Sequence, residues 1–247
     1  MVVIAMTSWK MRIGNVEQVV RSILDNTLVP DRIYLTLSSD EFQNKEDDLP
    51  PNLVELFNSD DRLIINWVKE NTKTMKKVFP ILQYINDDDL IINVDDDILI
   101  PKEAIEYRVN EFKGEPITGA NNPRCHMIDK RIGLYSFGPF SIFQKKHLKN
   151  WEIFVNDEII KTYNDDYTYS IICWLNGYRV RPCSDYSRHT GISEHKIAKF
   201  NDICPSYNMK LYLDRNKMYL VLLKRIHEIT HNKYYGMLPL FGYWNKK

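Results

Sequence analysis

Apolar residues follow two rhythms along the first hundred positions. Nearly unbroken runs, Val2 to Met6, Arg32 to Leu37, Arg62 to Val68 and Leu90-Ile91-Ile92, read as short strands, the last of them, with Val94, buried on both faces. Between the first two, Val16, Val19, Val20, Ile23 and Leu24 recur at helical spacing, and the stretch from Asn26 to Pro30 stops that helix. Strand, helix and strand in this order make a βαβ unit, which implies a parallel sheet with right-handed crossovers. Ligands of such sheets gather beyond the C-terminal ends of the strands, here the loop from Thr7 to Arg12.

The pattern loosens after each strand. Ser38 to Asp61 is polar, contains Pro50-Pro51 and reads as an irregular excursion with one helical turn. Lys69 to Val78 is a basic loop entering a helix whose apolar face would be Val78, Ile81, Leu82 and Ile85. Lysines at a helix start oppose the macrodipole, so they suit an anion better than they suit the helix; a solvated lysine face is the plain alternative. Pro101 to Phe112 predicts a helix, Pro116 to Ala120 a strand, and Ile132 to Phe143 a pair of strands around Gly138-Pro139, so the second half should add mixed or antiparallel strands. Asn164 to Gly177 predicts a helix with polar caps and a left-handed glycine stop, and Tyr178 to Pro182 a further strand.

Within this frame one stretch is chemically loaded. Asp95-Asp96-Asp97 follows the buried run Leu90-Ile91-Ile92 and precedes Ile98-Leu99-Ile100-Pro101. If strand alternation carries on, Asp95 and Asp97 face one ion and Asp96 points elsewhere. Oxygen-only donors suit Mg²⁺ or Mn²⁺, ions that keep water and take the rest of their shell from substrate phosphates. A solvated acidic turn is the competing reading, and Asp87-Asp88-Asp89 already looks like one. Asp165 and Asp166 open the later helix; one carboxylate caps a helix, and two exceed what capping needs.

Composition narrows the class. With 44% hydrophobic and 27% charged residues in 247, the chain is expected to be a soluble globular protein of one large or two small domains. The apolar N-terminus lacks a basic start and is cut at Thr7-Ser8-Trp9-Lys10, so a strand is expected there rather than a signal peptide; no run of eighteen apolar residues occurs. Cys125, Cys173, Cys183 and Cys204 have no Cys-x-x-Cys spacing and are expected to be reduced thiols of a cytoplasmic protein. Lys and Arg equal Asp and Glu at 33 each, yet Lys196 to Lys247 carries ten basic residues against three acidic ones. That segment holds the helix-compatible stretch Tyr207 to Ile229 and ends in the aromatic run Tyr234 to Trp244, a composition that suits either an anionic membrane surface or docking on the core. Two histidines, His189 and His195, lie in the loop before it, where either could meet a metal or a phosphate.

Taken together, Thr7, Trp9 and Arg12 after the first strand, Asp95-Asp96-Asp97 after the fourth, and Asp165-Asp166 with Trp174-Leu175-Asn176-Gly177-Tyr178 resemble a bacterial glycosyltransferase of the GT-A fold, similar to family 2. The resemblance covers most of positions 2 to 195; family members often have Glu-Asp where this chain has Asp165-Asp166. It implies an α/β fold with a Rossmann-like, mostly parallel sheet, an added antiparallel or mixed portion and a helical C-terminal tail. Residues 1–195 would form the catalytic domain, with 1–100 the nucleotide-sugar half and 101–195 the acceptor half, and 196–247 a basic aromatic extension. It further implies sugar transfer from a nucleotide diphosphate donor, a UDP-sugar, to an acceptor hydroxyl of a glycan or lipid-linked molecule, without nucleic acid as a partner. In this reading Asp95, Asp97 and His195 hold Mn²⁺ or Mg²⁺, and Thr7, Arg12, Asn71, Lys73, Lys77, Asp95 and Asp96 hold the donor. Asp166, or its neighbour Asp165, would be the base of an inverting transfer. The enzyme would work in the cytoplasm or at the inner face of the membrane. Two alternatives stand beside it: a phosphohydrolase of the haloacid-dehalogenase type, whose Asp-x-Asp normally follows the first strand, and a binding module without turnover.

Overall fold

The computed structural model describes residues 1–119, 125–129, 132–135, 137–155, 165–183 and 228. Strands β1 (Val2–Thr7), β2 (Arg32–Ser38), β3 (Leu63–Val68) and β4 (Leu90–Val94) alternate with helices α1 (Val16–Leu24) and α2 (Pro51–Asn58). After them come α3 (Ala104–Glu111), β5 (Cys125–Asp129), β6 (Ile132–Tyr135), β7 (Ile142–Gln144), α4 (Glu152–Val155) and α5 (Asp165–Leu175). The main sheet has the order β3-β2-β1-β4-β7, and β5 and β6 pair in a second, two-stranded sheet. The first four strands are parallel and β7 runs antiparallel to β4. The expected βαβ start and mixed second half are both present.

Alternation along β1 builds two cores. Ile4 and Met6 face α1, α2 and α3, packing on Val16, Val19, Ile23, Leu53 and Ile105, while Val3 and Ala5 face Val78, Phe79, Leu82 and Tyr169 of α5. All four are fully buried, and each fully buried Val, Ile or Met side chain contributes about 1.5–3 kcal/mol. Helix α1 buries one stripe, Val16, Val19, Val20 and Ile23, as its spacing requires.

Several local expectations are corrected. Ser38 to Asp61 is not merely irregular: Pro51 opens the eight-residue α2, because proline at a first helical turn loses no needed N–H and has the right φ. The helix expected after the basic loop is two 3₁₀ segments, Lys73–Lys77 and Phe79–Tyr84, since Pro80 has no N–H to continue an α-helical ladder. Ile132 to Phe143 is not one strand pair. β6 joins β5, and β7 joins β4, because buried Asn93 of β4 claims the turn between them: its backbone carbonyl accepts Phe140 N–H at 2.7 Å and its Oδ1 accepts Ser141 N–H at 2.7 Å. The strands expected at 116–120 and 178–182 reduce to bridges of Ile117 with Ile142 and with Arg181, where Pro116 and Pro182 have no N–H to extend a ladder. Asp89, expected in a solvated turn, is buried and pairs at 2.8 Å with the N-terminal amine.

Cys173 and Cys183 are free thiols, and no described helix is long and apolar enough to cross a membrane. His189, His195 and the basic aromatic extension lie outside the described residues, apart from Glu228, which is helical.

Candidate active site

The sheet order reverses beside β1, whose neighbours are β2 on one side and β4 on the other. Crevices at such a switch point, past the C-terminal strand ends, are where open α/β sheets bind ligands. The register that pairs Met6 with Val94 carries on past the strand ends, so Ser8 stands opposite Asp96 and its Oγ donates to Asp96 Oδ2 at 2.6 Å.

β4 stops at Val94, so the three aspartates sit in a turn and strand alternation does not govern them. The expected pairing of Asp95 with Asp97 is not what the turn shows: Asp96 points inward, is 2% exposed and grips Arg12 through Nη2 and through Nε at 3.2 Å. Arg12 Nη1 also reaches Asp97 Oδ2 at 3.3 Å. Arg12 therefore braces two of the three acids from the β1 loop. Burial pushes the Asp96 carboxyl above its usual range while Arg12 and Ser8 pull it back. Burial also disfavours the guanidinium charge, but the acids outweigh it and raise the Arg12 pKa.

Asp95 turns toward the other core and meets Lys77 Nζ at 2.5 Å. Lys77 also lies 3.8 Å from Asp165 Oδ2, at the first residue of α5. One buried ammonium thus joins the aspartate turn to the acidic helix start. Burial acts against the Lys77 charge, yet Asp95 and Asp165 more than offset it and raise its pKa. Asp165 is buried, and burial raises its pKa against the pull of Lys77. Asp166 is half-buried; burial and the adjacent Asp165 both raise it. Its backbone carbonyl accepts Phe137 N–H at 3.2 Å, and Gly138, whose carbonyl accepts from Asn93 Nδ2 at 3.1 Å, hydrogen-bonds its carboxylate.

The remaining expected residues fall into place less evenly. Thr7 is buried and its hydroxyl donates to the Thr36 carbonyl at 2.7 Å, so it fastens β1 to β2. Asn71 lies at the rim, where its Nδ2 donates to Glu41 at 3.1 Å and its Oδ1 accepts from Lys73 N–H at 3.0 Å. Lys73 is exposed, with a backbone φ of 55°. Sequence reasoning missed Ser8, Glu41 and Lys76. Lys76 is buried, donates to Asn71 Oδ1 at 2.9 Å, and is pushed down to about 8 by burial against the attraction of Glu41 and Asp96. Glu41 also accepts Lys10 N–H at 2.9 Å, tying the loops after β1, β2 and β3 together. The signal for Lys76 was its place beside Lys77; that for Ser8 was the strand register, which no single strand reveals.

Asp95 and Asp97 offer the hard oxygen donors that Mg²⁺ or Mn²⁺ accepts when phosphates complete its shell, so the residues fit such an ion. Among the described residues no three His, Cys, Asp or Glu side chains converge as a ready-made metal cage, and His195, the expected third ligand, is outside them.

No protein-family model matches the sequence, and no curated protein matches it. Solved structures do match. Residues 1–349 of S. aureus TarS, a glycosyltransferase of the GT-A family, align with a TM-score of 0.52 at 16% identity over 74% of this chain and 58% of that one. The fold is of the GT-A type. The same TarS fragment in complex with UDP-GlcNAc gives 0.52 at 15% identity, over 74% of this chain and 56% of that chain. The 4-diphosphocytidyl-2C-methyl-D-erythritol synthase of Anaerococcus prevotii gives 0.53 at 16% identity, over 85% of this chain and 96% of that one. This chain therefore spans little more than half of the TarS fragment, and what it shares at these identities is the GT-A-like fold.

Proposed function

We propose that this GT-A protein is a glycosyltransferase that moves a sugar from a UDP-sugar to an acceptor hydroxyl, in the synthesis of a bacterial surface polysaccharide or glycoconjugate. The observation that carries the reading is the ion-pair chain Asp95–Lys77–Asp165 at the sheet's switch point, which joins the aspartate turn after β4 to the acidic start of α5. Breaking a sugar–phosphate bond develops negative charge on the leaving diphosphate. Lys77, at the bridge between the two acidic elements, would supply positive charge there, and electrostatic stabilisation of this kind is commonly the largest contribution to a rate. Asp95 and Asp97 would hold a divalent cation that, when bound, neutralises the same diphosphate.

Inverting transfer also needs a base for the acceptor's proton. Asp165 is tied to Lys77, whereas Asp166 is half-buried with its pKa pushed up to about 8, so its ionised form, which gains population as pH rises toward that value, is a strong carboxylate base, and Asp166 is the base in this reading. Against the phosphohydrolase alternative, the aspartate turn follows the fourth strand of a GT-A-like sheet rather than the first. In this reading the extension from Lys224 to Lys247 brings the enzyme to an anionic inner-membrane surface carrying a lipid-linked acceptor, and liposome co-sedimentation should weaken when it is deleted.

Thermal melting with nucleotides and Mn²⁺ tests the donor, because a ligand of the folded state raises the melting temperature. UDP or a UDP-sugar should stabilise the protein more than CTP does. Turnover, read as UDP release with an acceptor present, should fall at least about 100-fold in Asp166→Asn while UDP-dependent stabilisation survives. Release of pyrophosphate from CTP in place of UDP release would overturn the reading in favour of nucleotidyl transfer. UDP stabilisation with no release from any UDP-sugar and acceptor would leave a binding module.

A further inference from the structure

Both acids assigned to a divalent cation already carry a cation of the protein. Asp95 holds Lys77 at 2.5 Å and Asp97 holds Arg12 at 3.3 Å. The two arrangements are unequal. Lys77 is buried and shared with Asp165, so it has a second reason to stay. Arg12 is gripped by Asp96 through two of its nitrogens, and Ser8 fixes Asp96 in turn, but its remaining arm meets Asp97 at a distance longer than the 2.7–2.9 Å usual for charged pairs. Arg12 has the greater freedom as well, with a side chain 21% exposed against 6% for Lys77.

We propose, building on the transferase reading, that Arg12 is a resident competitor of the divalent cation at Asp97, parked there by Asp96 and Ser8, so that the cation binds productively only together with an anionic nucleotide. A guanidinium and a doubly charged ion on one carboxylate repel strongly in a half-desolvated site. An arriving diphosphate relieves that repulsion, since it offers Arg12 a new anionic partner for the arm that leaves Asp97 and offers the cation its missing oxygens. Asp96 is in this account a positioning residue: with its oxygens engaged by Arg12 and Ser8, it keeps the guanidinium within reach of Asp97. The arrangement would guard an acidic site against metal binding in the absence of donor.

Mn²⁺ binding followed by electron paramagnetic resonance, with and without UDP, tests this without reference to turnover. Arg12→Met alone strands a buried carboxylate, so the variant to use is Arg12→Met/Asp96→Asn, which removes one charge of each sign and leaves the net charge around Asp97 unchanged. The native protein should bind Mn²⁺ weakly alone and more tightly with UDP. The double variant should bind Mn²⁺ alone about tenfold or more tightly than the native protein, and the gain from UDP should shrink accordingly. Adding Asp97→Asn to the double variant should abolish the gain. Mn²⁺ affinity in the double variant no higher than native, with UDP enhancement intact in both, would overturn the competitor role and leave the transferase reading standing. Absence of Mn²⁺ binding in every protein even with UDP would remove the cation from the site and this inference with it. Thermal melts of each variant show that the fold is retained.

Discussion

Replacing Lys77 by methionine takes away the cation that Asp95 and Asp165 share, and keeps a side chain of similar length in the buried space. Asp95 is the more exposed of the two and can turn to water; Asp165 is 3% exposed and cannot. Removing one partner of a buried ion pair costs about 3–5 kcal/mol, because a charge is left unbalanced. In a domain of this size each kcal/mol moves the melting temperature by about 2–4 °C, so Lys77→Met should melt about 6–20 °C below the native protein at pH 8.

The pH dependence separates this account from simple loss of packing. Burial raises the Asp165 pKa above its unfolded value, and Lys77 offsets part of that rise. Without Lys77 the carboxyl goes higher still, so between the unfolded and folded pKa the native state holds a proton that the unfolded state lacks. Stability then falls as pH rises through that window and returns as pH drops. The raised pKa of Lys77 itself contributes stability that is fully present below the ordinary lysine range, so it does not vary across these conditions. Circular-dichroism melts of both proteins at pH 5 and pH 8 are the assay. The gap should narrow by about half or more at pH 5, and Lys77→Met/Asp165→Leu should recover most of the loss at pH 8, since replacing both members of such a pair is often neutral. A gap equal at the two pH values, or smaller than about 3 °C at pH 8, would refute the claim that Lys77 holds two acidic elements together.

His147 should give the opposite slope. It is fully buried as a neutral ring, Nδ1 accepting Gln144 N–H at 3.0 Å, and burial drives its pKa down to about 4; its contribution of about 3 kcal/mol is complete above the ordinary histidine value and is lost as pH falls toward 4, so urea denaturation of His147→Asn should lack that acid-side decline. Asn93→Leu should cost about 3 kcal/mol in the same assay, because Ser141 N–H, Ser141 Oγ and the Gly138 carbonyl each lose a buried partner, and it should also lower turnover by releasing the turn that meets Asp166.

The strands β1, β2 and β4 were legible because strands buried on both faces are written as continuous apolar runs, the half-buried β3 because its run is nearly as apolar, and α1 because its stripe is regular. The second half was not, and the reason is polar. Asn93 sits inside an apolar strand, where nothing local announces that its amide will hold residues 138–141 against β4 and so send Ile142–Gln144 into the main sheet. Proline misled in both directions: Pro51 begins a helix where Pro50-Pro51 suggested irregular chain, and Pro80 breaks into 3₁₀ turns a segment whose apolar spacing looked α-helical. At the site, Asp95, Asp96, Asp97, Lys77 and Asp165 were readable as residue types at plausible strand and helix ends. Their pairing was not, because Ser8 and Arg12, the latter expected only as a donor-binding residue, reach the aspartate turn across 88 and 84 positions through the β1–β4 register.

The adjacency of Asp165 and Asp166 now has a physical division. Successive residues of a helix project in directions about 100° apart, so two neighbouring acids at a helix start need not share surroundings. The first goes inward to Lys77 and is committed to the link with Asp95; the second stays half-buried beside the turn at Gly138. Asp165 in turn bears on Asp166, since a buried like charge next door makes ionisation of the second carboxyl harder. The acidic pair is thus more than a cap repeated: one carboxylate fixes the position of the site's buried cation, and by being there it raises the proton affinity of the other.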